Sequence, residues 1–182
     1  MSKLILLICS VFIIQVTNGQ DYKDSIKNQF MYYNDLIVKK DFPASFEYIN
    51  PGLFNLVPKE QLLQIMDQTF NNPDIEIKLA APKILSIDDS LQIKQMSYVK
   101  LKYSGKLDMR FVAARDSTEM LNAFGAQFGK ENVKYDPATQ FYTIQLIKNV
   151  VANSKDGKNW TFVDVEEKQK EMLEKFIPKE LL

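Results

Sequence analysis

Lys155-Asp156-Gly157-Lys158-Asn159-Trp160-Thr161-Phe162-Val163 packs a turn and the start of a strand into nine residues. Asp-Gly is a strong hairpin-turn signal, because glycine takes a positive φ without steric cost. Behind it, Trp160, Phe162 and Asp164 alternate with Thr161, Val163 and Val165, the period-two pattern of a strand with one buried face. In front of it, an apolar-rich run from Gln140 to Ala152 predicts a long partner strand. The two form an antiparallel hairpin near the end of the chain.

Working upstream, the strand pattern continues. Asp136-Pro137-Ala138-Thr139 marks a turn. Leu107, Met109 and Phe111 alternate with Lys106, Asp108 and Arg110, predicting a strand from Lys106 to Val112. Ser104-Gly105 predicts a bulge or turn before it, and a long strand precedes that from Leu91 to Tyr103. Shorter strands are predicted at Ile75–Leu79 and Lys83–Ile87, with a turn at Asp88-Asp89-Ser90.

Helical spacing frames these strands. Tyr22, Ile26, Phe30, Tyr33 and Ile37 form one apolar stripe over residues 21–40. Asp41-Phe42-Pro43 breaks it, and a short helix is predicted from Ala44 to Ile49, stopped by Asn50-Pro51-Gly52. Pro58 opens a third helix carrying Leu62, Leu63, Met66 and Phe70. Asp116 and Glu119 form a capping-box pattern ahead of a helix ending at Gly129. A terminal helix is predicted from Glu166 to Ile177, before Pro178. With no repeat or linker, residues 20–182 make one α+β domain.

This order of elements resembles the NTF2-like superfamily, the cone-shaped α+β fold shared by nuclear transport factor 2, ketosteroid isomerase and the SnoaL-like cyclases. The residues that carry the resemblance are Asp41-Phe42 through Tyr48-Ile49-Asn50-Pro51, and the hairpin from Lys155 to Val163, similar to the family's "DGxxWxF" pattern. The resemblance implies N-terminal helices packed on a curved antiparallel sheet. The helix at Ser117–Phe128 and the terminal helix are departures, placed to cap the cone's pocket or to cover the sheet face through which many members dimerise. The superfamily hosts enzymes, binders and scaffolds alike.

Composition narrows the chemistry. The 182 residues include no histidine and one cysteine, Cys9. Lys3 followed by the apolar run Leu4–Ile14 and then Gln15-Val16-Thr17-Asn18-Gly19 has the order of a secretory signal, with cleavage expected after Gly19. The run is shorter than the roughly 20 residues needed to cross a bilayer. Ile8 before Cys9 does not fit a lipidation site, so Cys9 reads as part of the apolar run. The expectation is a secreted or periplasmic protein of bacterial type, with no stable membrane anchor after cleavage. Without Cys9, the mature chain has neither thiol nor imidazole. That excludes cysteine and Ser-His-Asp nucleophiles, His/Cys zinc sites, haem on a histidine, and disulfides. It also counts against the Asp-His cyclase branch of the superfamily.

Removing Lys3 leaves 22 basic and 23 acidic residues, and the only arginines are Arg110 and Arg115. Nothing in this balance favours nucleic acid. Lys100, Lys102 and Lys106 read as a solvated strand face, Asp88-Asp89 is too short for a calcium loop, and the Asn159-Trp160-Thr161 glycosylation pattern reads as chance.

No motif marks a catalytic residue, a metal site or a cofactor. The candidate ligand-binding residues are Tyr33, Tyr48, Asp108, Arg110 and Trp160. Trp160 and Phe162 are placed to line a cavity with Asp164 at its rim, or to pack the core. Asp108 shares its strand face with Lys106 and Arg110, the pattern of an exposed, ion-paired surface. The expected function is a non-enzymatic domain that binds a small apolar molecule in its cone, or a protein partner or second copy through its sheet. The alternative is a histidine-free acid/base isomerase or lyase of ketosteroid-isomerase type. That alternative requires a carboxylate in the cavity within reach of a tyrosine hydroxyl.

Overall fold

The computed structural model describes residues 17–113 and 115–182. The apolar run Leu4–Ile14 and Cys9 lie outside the described residues. Among the described residues, five α-helices and one seven-stranded antiparallel sheet make an α+β fold. The helices are α1 (Thr17–Val38), α2 (Phe42–Ser45), α3 (Lys59–Phe70), α4 (Ser117–Phe128) and α5 (Lys170–Leu173). The strands are β1 (Ile75–Leu79), β2 (Lys83–Ile87), β3 (Leu91–Ile93), β4 (Met96–Phe111), β5 (Val133–Asp136), β6 (Phe141–Ser154) and β7 (Thr161–Val165).

Two long strands form the spine. β4 and β6 pair without a break from Ser97↔Ser154 to Met109↔Tyr142. β1, β2 and β3 share the far edge of β4, while β5 and β7 share the far edge of β6. Strand alternation therefore gives the sheet two faces. Val99, Leu101, Tyr103, Val150, Ala152, Phe162 and Asp164 lie on one. Tyr98, Lys100, Asp108, Arg110, Val151 and Val163 lie on the other.

The α1 stripe covers the first face. Ile26 and Phe30 are buried with Val99, Leu101, Val150, Ala152, Trp160 and Phe162. Burying a side chain the size of Phe30 stabilises the fold by about 1.5–3 kcal/mol. The helix closes with Lys40 at φ 62°, where the Lys40 amide donates to Ile37 O and the Asp41 amide to Leu36 O, a Schellman closure. The Asp41 side chain then accepts the Ala44 amide and caps α2.

The quoted hairpin locks α1 onto the sheet. Asp156 accepts from Ser154 Oγ, the Lys158 and Asn159 amides, and Asn159 Nδ2, while Gly157 takes φ 70°. The loop so formed presents Lys158 O to Gln29 Nε2 at 2.6 Å, and Gln29 Oε1 accepts the Trp160 amide at 2.9 Å. One glutamine on α1 thus satisfies two backbone groups of the loop that a bare hairpin would leave to water.

Several expectations need correction. Ser104-Gly105 does not interrupt the strand: Gly105 pairs with Leu146 inside a continuous β4. The break falls earlier, at Lys94 (φ 56°), where β3 turns into β4. β5, not expected, pairs with β6 around the 136–139 turn. The helix expected at 44–49 is α2 followed by a 3₁₀ turn over Phe46–Tyr48. The expected terminal helix contracts to α5, flanked by 3₁₀ turns at Glu167–Gln169 and Lys179–Leu181. An isolated twelve-residue helix is marginal in water, so packing decides its shape. Here Leu173, Ile177 and Leu181 are buried on the second sheet face against Tyr98, Val151 and Val163. α4 forms as expected, capped by Asp116 on the Thr118 and Glu119 amides, and packs Phe124 against Phe111 and Tyr142.

Candidate functional site

A cavity of about 420 Å³ lies beside β7, between the N-terminal helices and the terminal segment. α1 supplies Tyr33, the turns after α2 supply Ile49, Leu53 and Val57, and α3 supplies Leu62 and Met66. β7 supplies Phe162, Val163 and Asp164, and the terminal segment supplies Gln169, Met172 and Leu173. The size is within the usual range for a small-molecule site. The lining is apolar except for Gln169, the Tyr33 hydroxyl and one charged side chain, Asp164.

The local sequence explains this placement. β7 is five residues long, and among the described residues only Ile49 bridges its outer edge, with the Asn50 amide donating to Phe162 O. Beyond that bridge, Asp164 sits next to an unfilled edge. Asn50 is held by Asn153, whose Oδ1 accepts from Asn50 Nδ2 and from Thr161 Oγ1. Phe162 stacks on Tyr33 with ring centroids 5.9 Å apart.

Asp164 is accessible to solvent yet crowded by protein on its flanks. This crowding, reinforced by Glu166, lifts its carboxyl to about 6, against the pull of Lys148 and of the Tyr103 hydroxyl. Solvent entering the cavity moderates the push, and its direction is upward. Tyr103 Oη donates to Asp164 Oδ2 at 3.5 Å, the long limit of a hydrogen bond. Among the described residues, no other hydrogen bond or ion pair reaches this carboxylate. Lys148, the β6 neighbour of Tyr103 and two residues from the Val150 that pairs with Asp164, is bound to Glu166 instead. Burial, together with the charge of Asp164, pushes the Tyr33 and Tyr103 phenols well above their usual range. Both stay protonated and remain hydrogen-bond donors at neutral pH.

The five candidate residues separate. Tyr33 lines the cavity. Tyr48 packs behind it, between Tyr32 and Tyr33, with centroids 5.6 and 6.4 Å away. Trp160 is 2% exposed in the core against Tyr22, and its Nε1 has no hydrogen-bond partner among the described residues. Asp108 and Arg110 lie on the other face of the sheet. There Asp108 accepts from Thr143 Oγ1 at 2.6 Å and pairs with Lys106 at 2.9 Å. Burial raises its carboxyl, but Thr143 and Lys106 outweigh that and bring it below the ordinary value. Arg110 pairs with Glu76 and lies over the Phe141 ring. The cavity carboxylate is therefore Asp164. Alternation placed it on the face of Phe162, but Tyr103 lies 61 residues away and no local pattern joins the two.

Two other hollows are more polar. One of about 450 Å³ lies on the second face, lined by Lys100, Lys102, Asp88 and Asn149, where Lys170 pairs with Glu167. One of about 570 Å³ runs between the β3–β4 turn and the terminal segment, with exposed Lys94, Lys155 and Lys175. Their charged groups are solvated or already paired, so neither matches the convergence at Asp164. The terminal segment both walls the cavity and covers part of the second sheet face.

No family model, curated protein or solved structure matches this chain. Fold and site define an α+β domain in which a helix layer and a sheet edge border an open apolar cavity bearing one carboxylate.

Proposed function

We propose that this is an exported NTF2-like cone domain that binds a small, largely apolar molecule in the cavity beside β7. The observation that carries the reading is the 420 Å³ apolar space ending on Asp164. An apolar lining supplies affinity by releasing water, and a lone polar group sets orientation. The cone assignment is supported by α1 lying across one sheet face and by the loop at Asp156 that fastens it there. Export rests on the order of residues 1–19.

Native mass spectrometry of the purified protein, followed by denaturing extraction, tests the ligand reading. Extra mass released as a defined small molecule supports it. A clean mass, with no thermal shift from a panel of apolar compounds, overturns it. N-terminal sequencing of the exported form tests cleavage after Gly19.

A second reading, an acid/base isomerase or lyase, is favoured by the contact between Asp164 and Tyr103. A carboxyl lifted toward neutrality is a competent proton acceptor, and a protonated phenol beside it can donate to a developing oxyanion. Turnover of an enolisable ketone, abolished by Asp164→Asn, would establish this reading over passive binding.

A further inference from the structure

The cavity beside β7 is electrostatically one-sided, and the geometry points to a primary or secondary amine with an apolar body as its ligand, the ammonium group meeting Asp164. This inference rests on the ligand-binding reading and names the chemical class. Among the described residues, Asp164 is the only charged side chain in the lining. Its carboxylate accepts one long hydrogen bond, from Tyr103, and has room for several more. The Asp164 side chain is exposed to solvent at the cavity, so its remaining acceptor sites are met by water, which a hydrogen-bonded cation can replace. The protein cation that acts on it, Lys148, is already engaged by Glu166. An ammonium group brings both the charge and up to three donors. Leu62 and Met66 suit an alkyl or aryl body.

The competing ligands make opposite demands. An apolar carboxylic acid would bring a second negative charge against Asp164. A neutral alcohol would satisfy one lone pair and leave the charge uncompensated. The titratable and charged groups around Asp164 are Tyr33 from α1, Tyr103 from β4, Lys148 from β6 and Glu166 after β7. The two phenols remain neutral through the relevant range, and Lys148 and Glu166 compensate each other. Ionisation of Asp164 therefore governs amine binding, which tightens as pH rises through the region where this carboxyl loses its proton.

Titration calorimetry on the full chain with n-octylamine, 1-octanol and octanoate tests the inference. At pH 7, the ammonium form is expected to bind at least about tenfold more tightly than octanol, and octanoate most weakly. Between pH 5 and pH 8, octylamine binding strengthens while octanol binding stays level. In Asp164→Asn the amine preference falls to within about twofold, with octanol binding retained. The pH series on the unaltered protein needs no variant to fold. Equal binding of octanol and octylamine, or tightest binding of octanoate, overturns the amine inference and leaves the ligand-binding reading standing. Absence of binding by all three overturns both.

Discussion

The Tyr103 hydroxyl, on β4, reaches the Asp164 carboxylate, on β7, at 3.5 Å across the intervening strand β6. It is the only partner of that carboxylate among the described residues, and it is too long to offset the crowding around it. The carboxylate therefore keeps most of its acceptor sites open, and its raised carboxyl marks it as a functional position.

That rise bears on stability with a sign that can be measured. Asp164 is lifted to about 6 in the folded protein, against about 3.9 in an unfolded chain. The folded state thus binds the proton more tightly. The contribution of Asp164 to stability is full below about pH 4 and is lost as pH rises through about 6. Asp164→Asn should raise the Tm at pH 7, with the gain shrinking as pH falls through about 6 and vanishing below about 4. Calorimetric melts of both proteins across this range check it, and a lower Tm for the variant at pH 7 would refute it.

Asp156 should behave in the opposite way. Amides from Asn159 and Lys158, with the Asn159 and Ser154 side chains, hold its carboxyl far below the usual carboxylate range. Its contribution is present above about pH 4 and lost as the pH falls toward the folded value. Asp156→Asn should lower the Tm at pH 7, with the gap closing in strong acid. Hydrogen exchange in the same samples should show the Trp160 amide, bound to Gln29, losing protection.

Gly52 lies under the terminal segment. A Cβ there would come within 2.4 Å of Phe176 Cγ, so Gly52→Ala must displace that ring. Overpacking of this kind costs roughly 1–3 kcal/mol. Because Met172 and Leu173 wall the cavity a few residues earlier, hydrogen exchange should rise over 170–182 and ligand affinity should fall. Unchanged exchange in that segment would show that it is anchored independently of Phe176.

Asn153 is buried and serves two donors, Asn50 Nδ2 and Thr161 Oγ1. Asn153→Ala leaves both without their acceptor and should cost about 2 kcal/mol or more by urea denaturation. The double variant with Asn50→Ala should cost less than the sum of the single changes, since Asn50 is then no longer stranded. Full additivity would mean that water replaces the pair.

The Trp160 indole N–H offers a contrast. It is buried without a partner among the described residues, so Trp160→Phe removes an unsatisfied donor along with some packing volume. The expected loss is roughly 1–2 kcal/mol, against about 3–5 kcal/mol for Phe30→Ala in the same core cluster. A loss from Trp160→Phe as large as that from Phe30→Ala would refute this expectation.

By itself the sequence determined the elements whose signals are local. The Tyr22–Ile37 stripe gave α1, Asp116 and Gly129 bounded α4, and Asp156-Gly157 gave the loop before β7. Capping, periodicity and turn chemistry act over a few residues, so they survive in a linear reading. Alternation also put Phe162 and Asp164 on one face. The tertiary structure decided the rest. Ser104-Gly105 carries a turn signal, yet unbroken pairing with β6 draws it into one strand. The terminal segment has helical spacing, but burying Leu173, Ile177 and Leu181 on the sheet cuts it to one short helix and 3₁₀ turns. Asp108 and Asp164 are the same residue type on strands of one sheet. Strand register places the first beside Lys106 and Thr143 on the outer face, and the second beside Tyr103 at the cavity. Register depends on pairing between residues far apart in the chain, and that pairing gives the two carboxylates opposite chemistry.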